Sequence, residues 1–171
     1  MEGWQPNLWF DQTELIWIPP SPNIPDLETA IIYPGMCLIE STNISEGRGT
    51  SKPFKWIGAP WIDGKKLSQT LNNFNLPGVV FVPAQFTPER IPGKAEKPKF
   101  ENIQCFGIEL WVTERNKYKS IDTGVLTLFS IYNMYPKKIM IEENRLNQRW
   151  GNNKLYEKLI RGATTDELLD Y

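Results

Sequence analysis

Residues 40–63, ESTNISEGRGTSKPFKWIGAPWID, hold the densest group of chemically capable side chains in the chain. They include the carboxylates Glu40 and Glu46, the guanidinium of Arg48, the amide of Asn43 and the hydroxyls of Ser41, Thr42, Ser45 and Thr50. Gly47 and Gly49 flank the arginine, and a residue without Cβ lets the backbone turn sharply or approach a ligand closely. Phe54, Trp56, Ile57, Trp61 and Ile62 follow with the apolar and aromatic surface that a binding wall needs. A solvated Gly-rich turn is the plainer reading of such a loop. The stretch has neither the spacing nor the Lys-Ser/Thr ending of a phosphate-binding loop, and it opens no dinucleotide fingerprint. Histidine is absent from the whole chain, which removes the commonest general base, the commonest zinc ligand and every imidazole triad. Any chemistry here must fall to carboxylates.

Composition narrows the function classes. The chain has 171 residues, 40% hydrophobic and 23% charged, with a formal net charge of -1. That describes globular material of one domain or slightly more. A near-neutral balance without a basic run gives no field for nucleic acid or an anionic membrane. No apolar stretch reaches the length of a membrane span, and no signal peptide is visible. Cys37 and Cys105 sit in apolar runs, as buried free thiols do, rather than as a bridge or a metal site. No metal and no cofactor is expected.

The elements that must position the loop follow from periodicity and punctuation. Pro6, Pro19, Pro20, Pro22 and Pro25 forbid a regular helix or central strand at the start. Trp4, Trp9, Phe10, Leu15, Ile16, Trp17 and Ile18 are too apolar for a free terminus, so this segment should be pinned to a neighbouring surface by its aromatics. Asp26 can cap a helix through about Tyr33, stopped by Pro34-Gly35. Met36–Ile39 reads as a short buried strand with Glu40 at its carboxyl end, the edge where ligands gather in open α/β sheets. Phe54–Ile57 and Val79–Val82 read as strands, with a helix from Asp63 between them carrying Leu67, Leu71 and Phe74. Residues 83–103 form an exposed connection. In residues 104–113, Ile108, Leu110 and Val112 share one strand face, while Glu109, Trp111 and Thr113 share the other. Ser120 or Asp122 caps a helix with Val125, Leu128, Phe129 and Tyr132 as its buried stripe, closed by Pro136. Leu155, Leu159 and Ile160 mark a short helix ended by Gly162, and Thr164 to Glu167 form a capping box for a last one.

Several stretches together resemble the NamZ family, exo-β-N-acetylmuramidases of peptidoglycan turnover. They are MEGW, WFDQTELIWIPPSPNIPDLETAIIYPG, CLIESTN, SEGRGTSKPF, IGAPWID, FTPERIPG, CFGIELWVTER and LIRGATTDELLDY, in the family's order over nearly the whole chain. The resemblance implies an α/β fold. Residues 1–50 would end a Rossmann-like N-terminal domain, and residues 51–171 would form a small α+β auxiliary domain with a mixed sheet, incomplete at its end. It implies an exo-acting glycoside hydrolase that releases N-acetylmuramic acid from non-reducing ends, with the active site in the cleft between the domains. The partners would be peptidoglycan-derived saccharides and that N-terminal domain, in an extracytoplasmic setting. A Pro-Glu-His-Gly motif of the family has no counterpart here, and Glu114 stands where the family more often has Asp.

On this reading Glu40 and Glu46 are the candidate catalytic carboxyls, since glycoside hydrolysis uses one to give a proton and one to attack or activate water. Arg48 can clamp the lactyl carboxylate of the sugar with two parallel hydrogen bonds. Asn43 can meet the acetamido group, and Trp56 and Trp61 can stack on sugar faces. The structural alternatives are equally concrete. Glu40 can hold the loop through backbone N–H bonds, Glu46 can pair with Arg48, Asn43 can cap the turn, and tryptophans can serve packing. By itself the chain can equally be a glycan-binding or structural module without turnover. Its apolar ends, Leu168 and Leu169 included, are expected to be poorly covered.

Overall fold

The computed structural model describes residue 5 and residues 7–171; Trp4 and Pro6 of the apolar opening lie outside the described residues. After a 3₁₀ turn at Phe10–Gln12 comes α1, Leu27–Met36, capped by Asp26, whose carboxylate accepts from the Thr29 N–H at 2.7 Å. Pro34 does not stop this helix. The Ser120 hydroxyl accepts from the Gly35 N–H and donates to the Ile32 carbonyl, both at 2.9 Å, and so stands in for ladder partners that a proline disturbs. Ser120 is therefore spent on α1 rather than on capping α3, Ser120–Met134, whose N-cap is Lys119 without a side-chain bond.

From Met36 the chain tightens into a 3₁₀ turn, Cys37–Ser41, where a buried strand was expected. A short apolar run has no period that separates strand from buried helical turn, and here the helical path of α1 simply continues. The sheet consists of β1, Trp56–Ala59, β2, Val79–Phe86, and β3, Cys105–Val112. It is antiparallel throughout, with β3 between the other two, and not mixed. The segment that would have given a parallel strand is that 3₁₀ turn. β2 runs four residues beyond Val82, through Pro83, which an edge strand tolerates because the missing N–H faces away from the ladder. Ile108 and Leu110 face the core, and Trp111 faces out, as the alternation requires.

α2, Gly64–Asn72, packs on the inner face of the sheet, with Leu67 and Leu71 fully buried. Beyond α3 come α4, Glu143–Trp150, α5, Lys154–Ile160, and α6, Thr165–Leu169. The sequence pattern misses α4 because Leu146 is its only buried residue. Thr164 and Glu167 make the expected capping box on α6. Leu168, far from poorly covered, is fully buried, and the Tyr171 hydroxyl donates to Asp122 at 2.6 Å. One core takes Ile32, Met36 and Ile39 together with Phe54, Ile108, Leu128 and Leu168, so packing is continuous across residues 50 and 51.

The aromatic opening is pinned to this same chain. The Trp9 indole donates to Asn116 at 2.7 Å, and the Arg115 guanidinium lies 5.1 Å from its ring centre while reaching Asp11. Trp17 donates to the Pro25 carbonyl at 3.0 Å and meets Phe10 edge to face. Leu15, Ile16 and Ile18 stay exposed. Cys105 is a buried free thiol whose burial pushes it up to about 11, and Cys37 is a half-buried one. Among the described residues, no helix is long and apolar enough to cross a membrane.

α1 and α3 cross backbone to backbone. A Cβ on Gly124 would lie 2.2 Å from the Gly35 carbonyl oxygen. Alanine gains about 1 kcal/mol in helix propensity over glycine, but neither backbone can yield here. Gly124→Ala is therefore expected to destabilise the chain by roughly 2–4 kcal/mol in urea unfolding; an unchanged midpoint would show that the helices can separate freely.

Acid should loosen the fold. Burial pushes Glu109 up, but hydrogen bonds from Lys52 and the Trp56 indole outweigh it and hold the carboxyl below its ordinary 4.5. Burial likewise pushes Asp26 up, and its bonds from Thr29 with the nearby Lys55 charge hold it below 3.8. Both groups bind a proton less readily folded than unfolded, so their contribution is complete above those ordinary values. It is lost as pH falls through the lower folded-state values. Thermal melts from pH 6 to 3 should fall most steeply below about 4.5, and Glu109→Gln should flatten that slope.

Candidate functional site

The loop from Ser41 to Lys55 is packed, not solvated. Ser41, Thr42, Ser45, Glu46, Gly47 and Gly49 are buried. Ser45 pairs with Gly58 of β1 through N–H to carbonyl bonds of 2.9 and 3.0 Å. Thr42 donates to the Ile39 carbonyl and accepts from the Ile44 N–H, which turns the chain out of the 3₁₀ segment. At Gly47 the backbone takes φ 76°, and a Cβ would lie 2.7 Å from the Trp56 carbonyl oxygen. Only glycine fits that turn, and it delivers Arg48 to a cleft.

The cleft has a volume of about 360 Å³ and is lined by charge. Arg48, Lys94, Lys97, Lys99, Arg145 and Arg149 contribute cations, and Glu40, Glu46 and Glu96 contribute carboxylates. Glu40, with its side chain 11% exposed, gives one oxygen to Arg48 Nη2. Its other oxygen accepts from Arg149 Nη2 at 2.8 Å and Nε at 3.2 Å. Glu46, only 7% exposed, accepts from Lys99 Nζ at 2.9 Å, and its second oxygen lies 3.6 Å from Arg48 Nε. The Lys99 ammonium also faces the carbonyls of Ile44 at 3.0 Å, Glu40 at 3.3 Å and Ile39 at 3.4 Å. A cation thus closes the carbonyl end of the 3₁₀ turn. Arg48 stacks on Phe54, 5.5 Å from the ring centre, and keeps 40% of its side chain exposed. Its Nε is buried without a hydrogen-bond partner.

Of the six residues singled out in the sequence, the cleft gathers Glu40, Glu46 and Arg48 and leaves three elsewhere. The Asn43 amide is consumed by the segment before α4, donating to the Lys138 carbonyl and accepting from the Met140 N–H, both at 2.9 Å. Trp56 stacks on Phe86 and donates to Glu109 at 2.9 Å. Trp61 packs edge to face on Tyr135. Glu114 makes an exposed pair with Lys117. Lys99 and Arg149 are the two residues that the sequence reading missed. Arg145 and Arg149 stand four apart on one face of α4, which was a usable signal. Lys99 had none beyond its place in a Lys-rich connection. Among the described residues, no cluster of three or more Cys, Asp or Glu could hold a metal ion.

Lys99 holds four acceptors, one of them a buried carboxylate. Lys99→Met keeps the stem and removes the charge, leaving Glu46 with a single, longer partner. Allowing for the partial exposure of the ammonium, the expected loss is about 2–3 kcal/mol in chemical unfolding. A loss below about 0.5 kcal/mol would put this contact with ordinary surface pairs.

The family model described as exo-beta-N-acetylmuramidase NamZ, C-terminal, matches residues 31–171. The chain is 37% identical over 171 residues to the peptidoglycan beta-N-acetylmuramidase NamZ of Bacillus subtilis (strain 168), covering 99% of this chain and 40% of that protein. A crystal structure of a DUF1343 family protein from Bacteroides fragilis NCTC 9343 matches with a TM-score of 0.87 at 24% identity, over 99% of this chain and 44% of its own. A second DUF1343 family structure from that organism matches at 0.59 and 24% identity, over 88% of this chain and 38% of its own. The two structures speak for the fold alone. The chain thus spans less than half the length of these relatives. The match from within α1 to Tyr171, together with the Bacillus relative, shows that this chain belongs to the NamZ family and corresponds to its C-terminal portion.

Proposed function

We propose that this chain forms the substrate-holding wall of an exo-acting glycoside hydrolase that releases N-acetylmuramic acid from non-reducing ends of peptidoglycan fragments. In this reading the cleft at Arg48 receives the lactyl carboxylate that distinguishes muramic acid from N-acetylglucosamine. The observation that carries it is the state of Arg48. One terminal nitrogen is anchored on Glu40, the buried Nε faces Glu46 at 3.6 Å, and 40% of the side chain stays exposed in a cleft with six cations against three carboxylates. Such a guanidinium is oriented but not used up, which suits it to take an anion.

Glu40 and Glu46 are the proposed reacting carboxyls of the sequence reading, but their contacts favour a holding role. Each Glu40 oxygen faces a guanidinium, and Glu46 lies between Lys99 and Arg48. A carboxylate so engaged is poorly placed to lend a proton to a leaving oxygen. The reading therefore assigns proton transfer to the preceding, Rossmann-like part of the whole protein, which would face this cleft in an extracytoplasmic setting. The chain alone then binds without turnover, which unites the enzyme and the module readings.

The test is an NMR-detected titration of the chain with N-acetylmuramic acid and with N-acetylglucosamine. The acid should bind more tightly and shift the signals of residues 46–50. Arg48→Lys keeps the charge but loses the fork, and should cost the acid about 1.5–3 kcal/mol while hardly affecting the neutral sugar. Equal losses for both ligands would make Arg48 structural.

A further inference from the structure

The two arginines on Glu40 are not equivalent. Arg149 spends Nε and Nη2 on Glu40, and its Nη1 lies 3.4 Å from both the Ser41 hydroxyl and the Arg145 carbonyl. Every nitrogen of Arg149 has a protein partner. Arg48 has one such hydrogen bond, through Nη2. Glu40 separates them, with its two oxygens turned to opposite guanidiniums and its side chain 11% exposed. We propose that Arg149 is a positioning residue for anion recognition: from α4 its Nε and Nη2 both donate to one Glu40 oxygen, and through Glu40 it fixes the angle at which Arg48 meets the ligand.

The inference rests on the reading of the cleft given above. Glu40 sits on a 3₁₀ turn, and a carboxylate held by one guanidinium alone can swing about its side-chain torsions. Arg149, with two nitrogens converging on the oxygen that Arg48 does not hold, removes that freedom. α4 is itself fixed by Leu146, which is fully buried, so the hold reaches Arg48 from an element more than 100 residues away in sequence. Arg149 then shapes selectivity without touching the ligand. A plain counter-charge would behave otherwise, since its effect would depend on charge and not on the fork.

The experiment compares the ratio of N-acetylmuramic acid to N-acetylglucosamine affinity in the full chain and in Arg149→Lys, Arg149→Met, Glu40→Gln and the Glu40→Gln/Arg149→Met double variant. Both Arg149 variants are expected to lose about tenfold in that ratio, because Lys restores the charge but not the grip. In the Glu40→Gln background, Arg149→Met should cost less than about twofold further, since the residue it acts through is already changed. A wild-type ratio in Arg149→Lys, or full additivity in the double variant, overturns the positioning role. If the unmodified chain shows no preference for the acid, the cleft reading falls and this inference falls with it. If it shows that preference and the Arg149 variants keep it, only the inference falls.

Discussion

Two carboxylates below the surface govern the arrangement of this chain. Glu40 and Glu46 have side chains only 11% and 7% exposed, and a buried carboxylate is costly unless cations and donors meet it. The partners come from far apart in sequence. Arg48 belongs to the same loop, Lys99 to the connection before β3, and Arg149 to α4. Those three pieces must converge for both carboxylates to be tolerated. The cleft is what their convergence leaves open.

The convergence depends in turn on where the 3₁₀ turn lies. It continues α1 without a break, and α1 is held against α3 by direct backbone approach at Gly35 and Gly124 and by the Ser120 hydroxyl. A helix seated this closely leaves little room to slide, because interiors are packed at crystal-like density. The rigid crossing of two helices therefore sets the position of Glu40. On the other side, Ser45 and Gly58 tie the loop to β1, and the left-handed turn at Gly47 aims Arg48 into the cleft. The glycines of the GRG motif serve backbone geometry, while the arginine is the residue proposed to meet the ligand.

How much of this was legible depends on whether a residue's partner is near it in sequence. The buried Leu67 and Leu71 of α2, Val125 and Leu128 of α3, the alternation of β3 and the Thr164 capping box follow from a local period or a local bond, whereas Phe129 and Tyr132 of the expected α3 stripe are only partly buried. The Glu46 pairing with Arg48 was likewise visible, at a spacing of two residues. Met36–Ile39 was misread as a strand because four apolar residues carry no period. Pro34 was misread as a stop because its compensation comes from Ser120, across the core. Asn43, Trp56 and Trp61 have suitable chemistry, but their partners Met140, Glu109 and Tyr135 draw them away from the cleft. Arg149 could be suspected only from its i, i+4 partner Arg145, and Lys99 not at all.

A near-neutral protein can still hold a strongly charged site, because local charge is what a bound group meets. The chain's formal net charge is -1, yet six cationic side chains line the cleft against three carboxylates. From outside the lining, Glu142 neutralises Arg145 and Arg90 neutralises Glu96, so these pairs leave the excess where it was. These rim pairs are exposed and screened, so they tune the approach of an anion more than they hold it. The inner set differs. Glu40 and Glu46 bind the cations firmly but do not cancel them all, and they hold Arg48 at a fixed angle before any ligand arrives. On the proposed reading the site meets the cost of orientation during folding rather than during binding, and a preorganised fork would let one guanidinium distinguish an acid from its neutral analogue.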